Sequence, residues 1–387
     1  MNVADSRRLA SALEQLGYQP TKRPEEAAVI VLNTCVVRQS AEDKAIGRLS
    51  SLKPLKQKNP DLVINLMGCL IGVRGNQSIQ KRFPWVDVVS PPSDPEPLLT
   101  YLSSRLARET GHSHQEKLNA ILDGDLILPA SEQNKLVSAF IPIVYGCSHA
   151  CTYCIIPAKR GVEHSRPYRE ILSEAQTLVD QGVKEITLLG QIVDRYGLDL
   201  PEHPTLAMLL RDLDEIEGLE RIRFLTSHPN WMTDDLLDAV AALPKVCPHI
   251  EVPIQAGDDA ILKAMRRGYT VAKYKELIGK IRARIPGVSI ATDIIVGFPG
   301  ETESQFQHTF DLLAELRMDV AHLARYSPRT GTYSERKMAD DVSDADKMHR
   351  FRRLETLQKE IATEIHARFL GKTVEVLFEE KSRDRWR

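Results

Sequence analysis

Long apolar runs, a leader and an excess of either charge are all missing from this sequence of 387 residues. No stretch reaches the roughly 18 consecutive apolar residues of a helix that crosses a bilayer. The opening Met-Asn-Val-Ala-Asp-Ser lacks the basic and then apolar order of a secretory signal. The net charge is −2, so any nucleic acid would be held by local basic patches. These absences predict a cytoplasmic globular protein with no membrane partner.

Cysteine is also scarce, since the whole chain has six. So few do not make a disulfide framework, and a reducing compartment with metal-bound thiolates fits better. Three of them, Cys147, Cys151 and Cys154, form a C-x3-C-x2-C loop. Three thiolates on one loop can hold a [4Fe-4S] cluster and leave its fourth iron open to a ligand. The alternative is a zinc site completed by His149, although structural zinc usually takes a second ligand pair at a set distance.

Two further cysteines follow predicted strands in residues 1–90, which we interpret as an N-terminal open parallel α/β domain. A helix is predicted over 4–16 and strands over 28–32 and 62–66, with a polar helix between the strands. Cys35 and Cys69 lie just beyond the two strands. Ligands gather at the carboxyl ends of parallel strands, so the two cysteines are candidates for a shared site. The alternative is that each is a small buried hydrophobe.

Residues 137–335 predict a partial (β/α)6 barrel, because short apolar strands alternate there with segments of helical length. The six predicted strands are 140–144, 185–189, 221–225, 249–254, 289–296 and 320–324. The cysteine loop follows the first strand, at the end where a barrel collects its reactive residues.

The segments around the barrel are simpler. The mostly polar residues 91–136 predict a linker with short helices, in which His112 and His114 are solvated rather than ligands. Residues 336–371 predict a helical segment with one apolar face. Residues 373–378 alternate like a half-buried strand. One strand is not a domain, so we expect 372–387 to open a small further domain.

Several stretches together resemble one family. They are Asn-Thr-Cys-Val-Val-Arg at 33–38, Met-Gly-Cys at 67–69, Ile-Ile-Pro at 155–157, Arg-Gly at 160–161, Ser-Arg-Pro at 165–167, Pro-Ile-Gln-Ala-Gly at 253–257, Met-Arg-Arg-Gly-Tyr-Thr at 265–270 and Thr-Asp-Ile-Ile-Val-Gly-Phe-Pro-Gly-Glu-Thr at 292–302. Through them nearly the whole chain resembles the MiaB family of tRNA methylthiotransferases, which are radical S-adenosylmethionine (SAM) enzymes. The cysteine loop alone indicates only the superfamily, while the two upstream cysteines are specific for methylthiotransferases.

The resemblance implies a reaction. Cys147, Cys151 and Cys154 would ligate a [4Fe-4S] cluster that binds SAM and cleaves it to a deoxyadenosyl radical. The radical would act at carbon 2 of an isopentenylated adenosine beside the tRNA anticodon. A second [4Fe-4S] cluster, held in the family by three N-terminal cysteines, would supply the sulfur of a methylthio group. A flavodoxin or ferredoxin would supply the electrons.

The resemblance also implies two departures at the ends of the sequence. Cys35 and Cys69 match two of the family's three N-terminal cysteines, and the other lies in the family immediately before Gln-Met-Asn, which would place it ahead of Met1. We therefore expect the site of the second cluster to be incomplete in this sequence, and the start site of the sequence to be placed too late. Residues 373–378 resemble the opening strand of the family's C-terminal TRAM-like RNA-binding barrel, the remainder of which is not in the sequence.

Other residues carry weaker predictions. Tyr153 resembles the aromatic that contacts the SAM adenine, and Gly190, Gln191, Gln255 and Asp293 follow or end barrel strands where SAM or substrate contacts gather. Loop packing, turns and internal hydrogen bonds are the structural alternatives for them. Six arginines in or near loops are candidates for tRNA phosphate contacts, with solvated surface charge as the alternative. They are Arg160, Arg166, Arg266, Arg267, Arg325 and Arg329.

Two other functions remain open from the sequence. One is methylthiolation of another substrate, either a threonylcarbamoyladenosine in tRNA or a ribosomal protein. The other is a non-catalytic cluster-binding or RNA-binding regulator, which an incomplete auxiliary site permits.

Overall fold

A computed structural model of the chain describes residues 1–75, 77–110, 115–124, 126–379, 381–382 and 385–386. His112 and His114, which the sequence places in a solvated linker, lie outside these residues. The described chain contains an N-terminal unit, residues 2–123, and a barrel unit, residues 138–325. Within the described residues, no helix combines the length and apolarity needed to cross a membrane.

The N-terminal unit is a parallel sheet of three strands in the order β1-β2-β3. Its strands are β1 Val29–Thr34, β2 Val63–Gly68 and β3 Val88–Ser90. Its helices are α1 Asn2–Gln15, α2 Gln39–Ser51, α3 Lys53–Lys58, α4 Gln77–Arg82, α5 Glu96–Thr110 and α6 Gln115–Asp123. Every residue of β2 is buried, because this strand is central and helices cover both of its faces.

The linker prediction for residues 91–136 is wrong for α5 and α6. Leu98, Leu99 and Leu102 of α5 are fully buried and pack with Leu9 of α1 and Met67 of β2. The leucines lie on one face of a helix whose other residues are polar, which made the segment look like a linker. Both helices therefore belong to the core of the N-terminal unit.

The barrel unit has six parallel strands, as the sequence predicts, in two sheets of order β4-β7-β8 and β11-β10-β9. A parallel bridge from Ile222 to Val246 connects β8 to the segment that leads into β9. The six strands of the two sheets are β4 Ser138–Pro142, β7 Glu185–Leu189, β8 Arg221–Phe224, β9 His249–Glu251, β10 Ser289–Val296 and β11 Val320–Arg325. Two shorter strands, β5 Val144–Tyr145 and β6 His164–Ser165, lie between β4 and β7 along the chain. The short β5 and β6 form an antiparallel pair that frames the cysteine loop. β9 is shorter than predicted, since Pro253 has no N–H to donate to the sheet.

Helices surround these strands and bury one continuous core. They are α7 Ile156–Arg160, α8 Tyr168–Asp180, α9 Leu206–Asp214, α10 Asp234–Ala242, α11 Asp259–Ala264, α12 Val271–Arg284, α13 Glu303–Leu316, α14 Tyr333–Lys337 and α15 Asp344–Ala367. The last helix packs on α13 and β11 and is held by a buried ion pair between Arg350 and Glu301, at 2.8 Å.

The strand predicted over 373–378 is absent. These residues have no regular structure, and Val374, Val376 and Phe378 are each more than half exposed. Among the described residues, no strand pairs with this segment. A short antiparallel pair, β12 Lys381–Ser382 and β13 Arg385–Trp386, follows it.

Candidate active site

The cysteine loop begins at a position that requires glycine. Gly146 has a φ of 66°, and a Cβ there would lie 2.0 Å from the Val162 carbonyl oxygen. The Cys147 N–H then donates to the Gly161 carbonyl at 3.1 Å. The start of the loop is therefore fixed against the segment that returns to β6.

The middle of the loop is held by Thr152, which is 1% exposed. Its N–H donates to Met265 O at 3.2 Å and its hydroxyl donates to Ala264 O at 2.9 Å. Its own carbonyl accepts from the Ser334 N–H at 2.8 Å. Because Thr152 lies between Cys151 and Cys154, these bonds tie both thiols to the ends of α11 and α14.

The three thiols are free and lie close enough to interact electrostatically. Burial, followed by the neighbouring Cys151 and Cys147, raises the pKa of Cys154 to about 12. Burial also raises the pKa of Cys147, although the His149 N–H donates to its sulfur at 3.4 Å. Three thiolates at a site that is partly shielded from water need a metal cation bound among them, and an all-sulfur donor set suits iron. The residues present therefore fit a [4Fe-4S] cluster.

His149 does not fit as the fourth ligand of a zinc site. The Trp231 indole N–H donates to Nε2 of His149 at 3.3 Å. The ring also stacks on His228, with centroids 4.5 Å apart. Nε2 of the imidazole is thus already engaged by the indole, and the geometry does not favour zinc.

Arg267 supplies a positive charge to the loop. Its guanidinium donates to Cys151 Sγ at 3.3 Å, to the Tyr269 hydroxyl at 2.9 Å and to Pro253 O at 3.4 Å. The side chain is 6% exposed. A buried charge-assisted bond to a ligand sulfur stabilises negative charge there.

Arg267→Gln is expected to lower the midpoint potential of the cluster held by this loop, on the order of tens of millivolts, because reduction adds negative charge that the guanidinium stabilises. A redox titration monitored by electron paramagnetic resonance (EPR) measures it, with iron content as the check on loading. Arg266→Gln is the matched control, since Arg266 is the exposed neighbour that packs on the Tyr333 ring. Equal shifts in both variants would contradict the role of Arg267.

The N-terminal cysteines meet at the ends of β1 and β2. Gly68 has a φ of 99°, and a Cβ there would lie 2.6 Å from Thr34 O, so glycine permits the close approach. The Cys69 N–H donates to the same carbonyl at 3.1 Å. Cys69 is buried and Cys35 exposed, and the two thiols interact. In the part of the chain that the structure describes, these strand ends bring together two thiols, those of Cys35 and Cys69.

One cavity of 450 Å³ joins the two parts of the site. Cys35 and Cys69 line it from the N-terminal unit, and Gly190 and Gln191, at the end of β7, line it from the barrel. Ile156 also lines the cavity and packs in the same apolar cluster as Cys147 and Cys154. The predicted SAM-side residues of β7 and the two N-terminal cysteines therefore share one space.

The other predicted cofactor residues are placed differently. Tyr153 packs edge-on to Phe298, with centroids 6.4 Å apart. Gln255 has a φ of 75°, uncommon for a residue other than glycine, and its N–H donates to Asp293 O at 2.8 Å. Asp293 lies beside Glu251 and His322, which line the cavity. Contact of Tyr153, Gln255 and Asp293 with SAM stays a prediction.

The prediction of phosphate contacts is wrong for the buried arginines. Arg160, Arg267 and Arg329 are each less than a tenth exposed and are bonded inside the protein. Arg329 pairs with Gln39 and Glu42 of α2, so it joins the two units. Arg166 is also engaged, since it pairs with the buried Glu174 at 2.7 Å.

Arg160 instead connects the two cysteine sites. It lies at the end of α7, just after the cysteine loop, and its guanidinium charge is close enough to the Cys69 thiol to act on the pKa of that thiol. It also donates to Asn2 Oδ1 at 3.0 Å and to Ser93 Oγ at 3.3 Å. Burial raises the pKa of Cys69, and the Arg160 charge opposes that increase.

Asp194 was not singled out from the sequence. It lies beyond β7, and its carboxylate accepts from the His228 N–H at 3.0 Å, while its other oxygen is buried without a partner among the described residues. Burial raises the pKa of Asp194 from 3.8 to about 7. A lone acidic residue just beyond a strand gives no sequence signal of such burial.

Asp194→Asn is expected to stabilise the protein at pH 8. Wild-type stability falls as the pH rises from 3.8 to about 7, because the unfolded chain loses this proton and the folded chain keeps it. The gap between the two pKa values corresponds to on the order of 4 kcal/mol at most. Thermal unfolding across this pH range measures the difference, with the exposed Asp238→Asn as control. A gain at pH 8 that persists unchanged below pH 4 would contradict the assignment.

Two family models match the chain. The Radical SAM superfamily model matches residues 141–313. The model described as Uncharacterized protein family UPF0004 matches residues 1–90. The two matches cover the regions that carry the two sets of cysteines.

Solved structures show the same fold. The radical SAM methyltransferase TsrM from Kitasatospora setae, with cobalamin and a [4Fe-4S] cluster bound, is similar with a TM-score of 0.59 and 16% identity, over 83% of this chain and 71% of that one. The cobalamin-dependent SAM radical enzyme OxsB is similar with a TM-score of 0.54 and 13% identity, over 93% of this chain and 53% of that one. The predicted α/β fold with a radical SAM barrel is confirmed.

Curated relatives are much more similar in sequence. Proteins of Chloroflexus aurantiacus and Roseiflexus sp., both named tRNA-2-methylthio-N(6)-dimethylallyladenosine synthase, are each 48% identical over the full chain, which spans 81% and 79% of their lengths. A protein of the same name from Thermoanaerobacter pseudethanolicus is 44% identical over 98% of the chain. The chain therefore belongs to the tRNA-2-methylthio-N(6)-dimethylallyladenosine synthase family of radical SAM enzymes.

Proposed function

We propose that this protein inserts a methylthio group at carbon 2 of an N6-dimethylallyl (isopentenyl) adenosine beside the tRNA anticodon. The observation that carries the proposal is the shared cavity, in which Cys35 and Cys69 face the end of β7. When bound, SAM and the iron–sulfur clusters would supply the radical and the sulfur. Cys147, Cys151 and Cys154 would hold the SAM cluster, and Cys35 and Cys69 would contribute to the auxiliary one.

The chain's own residues orient and shield this chemistry. Thr152 fixes the cysteine loop on α11 and α14, and Arg267 places a positive charge on Cys151. Ile156 and Ile192 pack around Cys147 and exclude water from its sulfur. Arg160 of α7 donates to Asn2 and Ser93 and so ties the barrel to the N-terminal unit beside the cavity.

Exposed arginines would provide the contacts to tRNA. Arg266 and Arg325 are exposed, as is Arg38, which lies close enough to Asp293 to lower the pKa of that carboxyl. These guanidinium groups are free to contact phosphates around a base that leaves its stack. Electrons would come from a small carrier such as a flavodoxin or ferredoxin.

Expression in a bacterial strain that lacks its own methylthiotransferase tests the proposal. Two forms are compared: the printed sequence, and the same sequence preceded by Cys-Gln, the pair that the family places before Met-Asn. Mass spectrometry of tRNA nucleosides should show conversion of isopentenyladenosine to its methylthio derivative, at least with the extended form, and none with Cys151→Ala. An unchanged isopentenyladenosine peak with both forms would contradict the proposal, and a change at threonylcarbamoyladenosine would reassign the substrate.

A further inference from the structure

Three side chains on adjacent barrel strands form a cluster, of which only Asp293 is singled out by the sequence. Glu251 ends β9, Asp293 lies in β10 and His322 lies in β11. Asp293 and His322 are register partners, and Glu251 pairs with Ala291, two residues before Asp293 on the same face of β10. Their carboxylate and imidazole ligand atoms all lie within 4.8 Å of one another.

The cluster faces the space between the two cysteine sites. Glu251 and His322 line the 450 Å³ cavity that Cys35, Cys69 and Gln191 also line. His322 is exposed at the rim, while Glu251 and Asp293 are partly buried. A base that enters this cavity can therefore contact Glu251 and His322, with Asp293 beside them.

Much of the hydrogen-bonding capacity of the cluster is unused. The Thr226 backbone lies close enough to the Glu251 carboxylate to oppose the rise that burial causes in its pKa. In the part of the chain that the structure describes, no hydrogen bond or ion pair within 4.0 Å is formed by the side chains of Asp293 and His322. Partly buried carboxylates that the protein leaves unsatisfied are suited to an incoming polar ligand.

Burial also favours the protonated form of the two carboxyl groups. Burial, then the nearby Asp293 charge, raises the pKa of Glu251, and burial raises that of Asp293. His322, Arg267 and Arg38 act in the opposite direction on Asp293. A carboxyl pair with one proton presents an O–H donor and carboxylate acceptors side by side.

We infer that Glu251, Asp293 and His322 bind the Watson–Crick edge of the target adenine. The inference rests on the proposed function and names the residues that read its substrate. Adenine presents an acceptor at N1 beside a donor at N6, and one N6–H remains after isopentenylation. A carboxyl O–H that donates to N1 and a carboxylate oxygen that accepts from N6–H match this pattern, as in other pockets that hold a flipped base. Carbon 2 is bonded to N1, so a fixed N1 holds carbon 2 toward the cavity.

Binding of short anticodon stem-loops by the anaerobically prepared holoprotein tests the inference. One stem-loop carries isopentenyladenosine at the target position, and the other carries its 1-deaza analogue, in which N1 is a carbon. Wild type should bind the first about 10-fold more tightly. Asp293→Asn and Glu251→Gln should each weaken binding of the first about 10-fold and leave binding of the second nearly unchanged, since effects on one shared contact are not additive.

The control is Glu335→Gln, which removes an exposed negative charge on α14. Loss of a negative charge strengthens nonspecific RNA binding, so weaker binding by Asp293→Asn runs against the electrostatic trend. Glu251→Gln should still form 5'-deoxyadenosine from SAM, with the methylthio product reduced relative to it. That uncoupling separates substrate positioning from a role in SAM binding.

Other results would overturn the inference. One is equal affinity of wild type for the two stem-loops. Another is a Mn²⁺ ion, seen by EPR, that wild type binds and Asp293→Asn and His322→Ala lose, which would make the cluster a cation site. If the wild type and the variants form equal amounts of the methylthio product, the inference fails and the proposed function stands. If wild type makes none with either N-terminal form, the proposed function fails and the inference with it.

Discussion

Replacing Cys151 with alanine is expected to reduce cleavage of SAM to 5'-deoxyadenosine by at least about 100-fold, because loss of a ligand should exceed the 10- to 100-fold cost of losing a partner of a ligand. Cys151 is the loop thiol that receives the Arg267 hydrogen bond. The fold should survive, since the loop is still anchored by Thr152 through Ala264 and Met265. Liquid chromatography of anaerobic reactions with dithionite measures the product, and iron content measures cluster loading.

Cys247→Ala is the matched control for this substitution. Cys247 is half-buried near Arg223 and Glu185, away from the cysteine loop. It should keep wild-type iron content and SAM cleavage. Full SAM cleavage by Cys151→Ala, or an equal loss in Cys247→Ala, would contradict the assignment of the loop.

The second large effect is expected at Cys69. Cys69→Ala should keep SAM cleavage within about two-fold and lose the methylthio product, by at least about 100-fold by the same reasoning about ligands. The physical reason is location, because Cys69 follows β2 in the N-terminal unit and lines the cavity rather than lying in the cysteine loop. The measured quantity is the ratio of methylthiolated nucleoside to 5'-deoxyadenosine, in the form of the protein that makes product.

Two comparisons sharpen this test. Cys35→Ala should give the same ratio as Cys69→Ala, since both thiols line the cavity. Thermal unfolding checks that removal of the buried Cys69 sulfur does not unfold the sheet. Parallel loss of both products would instead indicate that Cys69 supports the barrel site or the fold.

Local patterns were enough to predict most of the architecture. Strands such as 185–189 and 289–296 are short apolar runs bounded by turn residues, and the structure has them at those positions. The cysteine loop was recognised because C-x3-C-x2-C spacing is itself a chemical constraint. Parallel connectivity then brought Cys35 and Cys69 to one edge of the N-terminal sheet.

Properties that depend on tertiary contacts were not predictable. Arg160, Arg267 and Arg329 lie in segments that look like exposed loops, but each is buried against a partner distant in sequence. Burial of an arginine depends on where a carboxylate, thiol or carbonyl happens to lie in the fold. Leu98 and Leu99 of α5 were similarly hidden within a polar helix.

The Glu251, Asp293 and His322 cluster illustrates the same limit. Glu251 and His322 occur within predicted strands, where single polar residues are common, and they are 71 positions apart. Their proximity arises from the order of β9, β10 and β11 in the sheet. A single sequence has no signal for such a cluster before the strand order is known.

The most direct test of the account is a single anaerobic reaction of the reconstituted protein with dithionite, SAM labelled with a trideuteromethyl group, and an isopentenylated anticodon stem-loop. Mass spectrometry of the digested nucleosides reads the outcome. The account predicts a methylthio adenosine that carries the labelled methyl, formed together with 5'-deoxyadenosine, and its absence in Cys69→Ala. Formation of 5'-deoxyadenosine with no labelled nucleoside, from both the printed sequence and its Cys-Gln extended form, would contradict it.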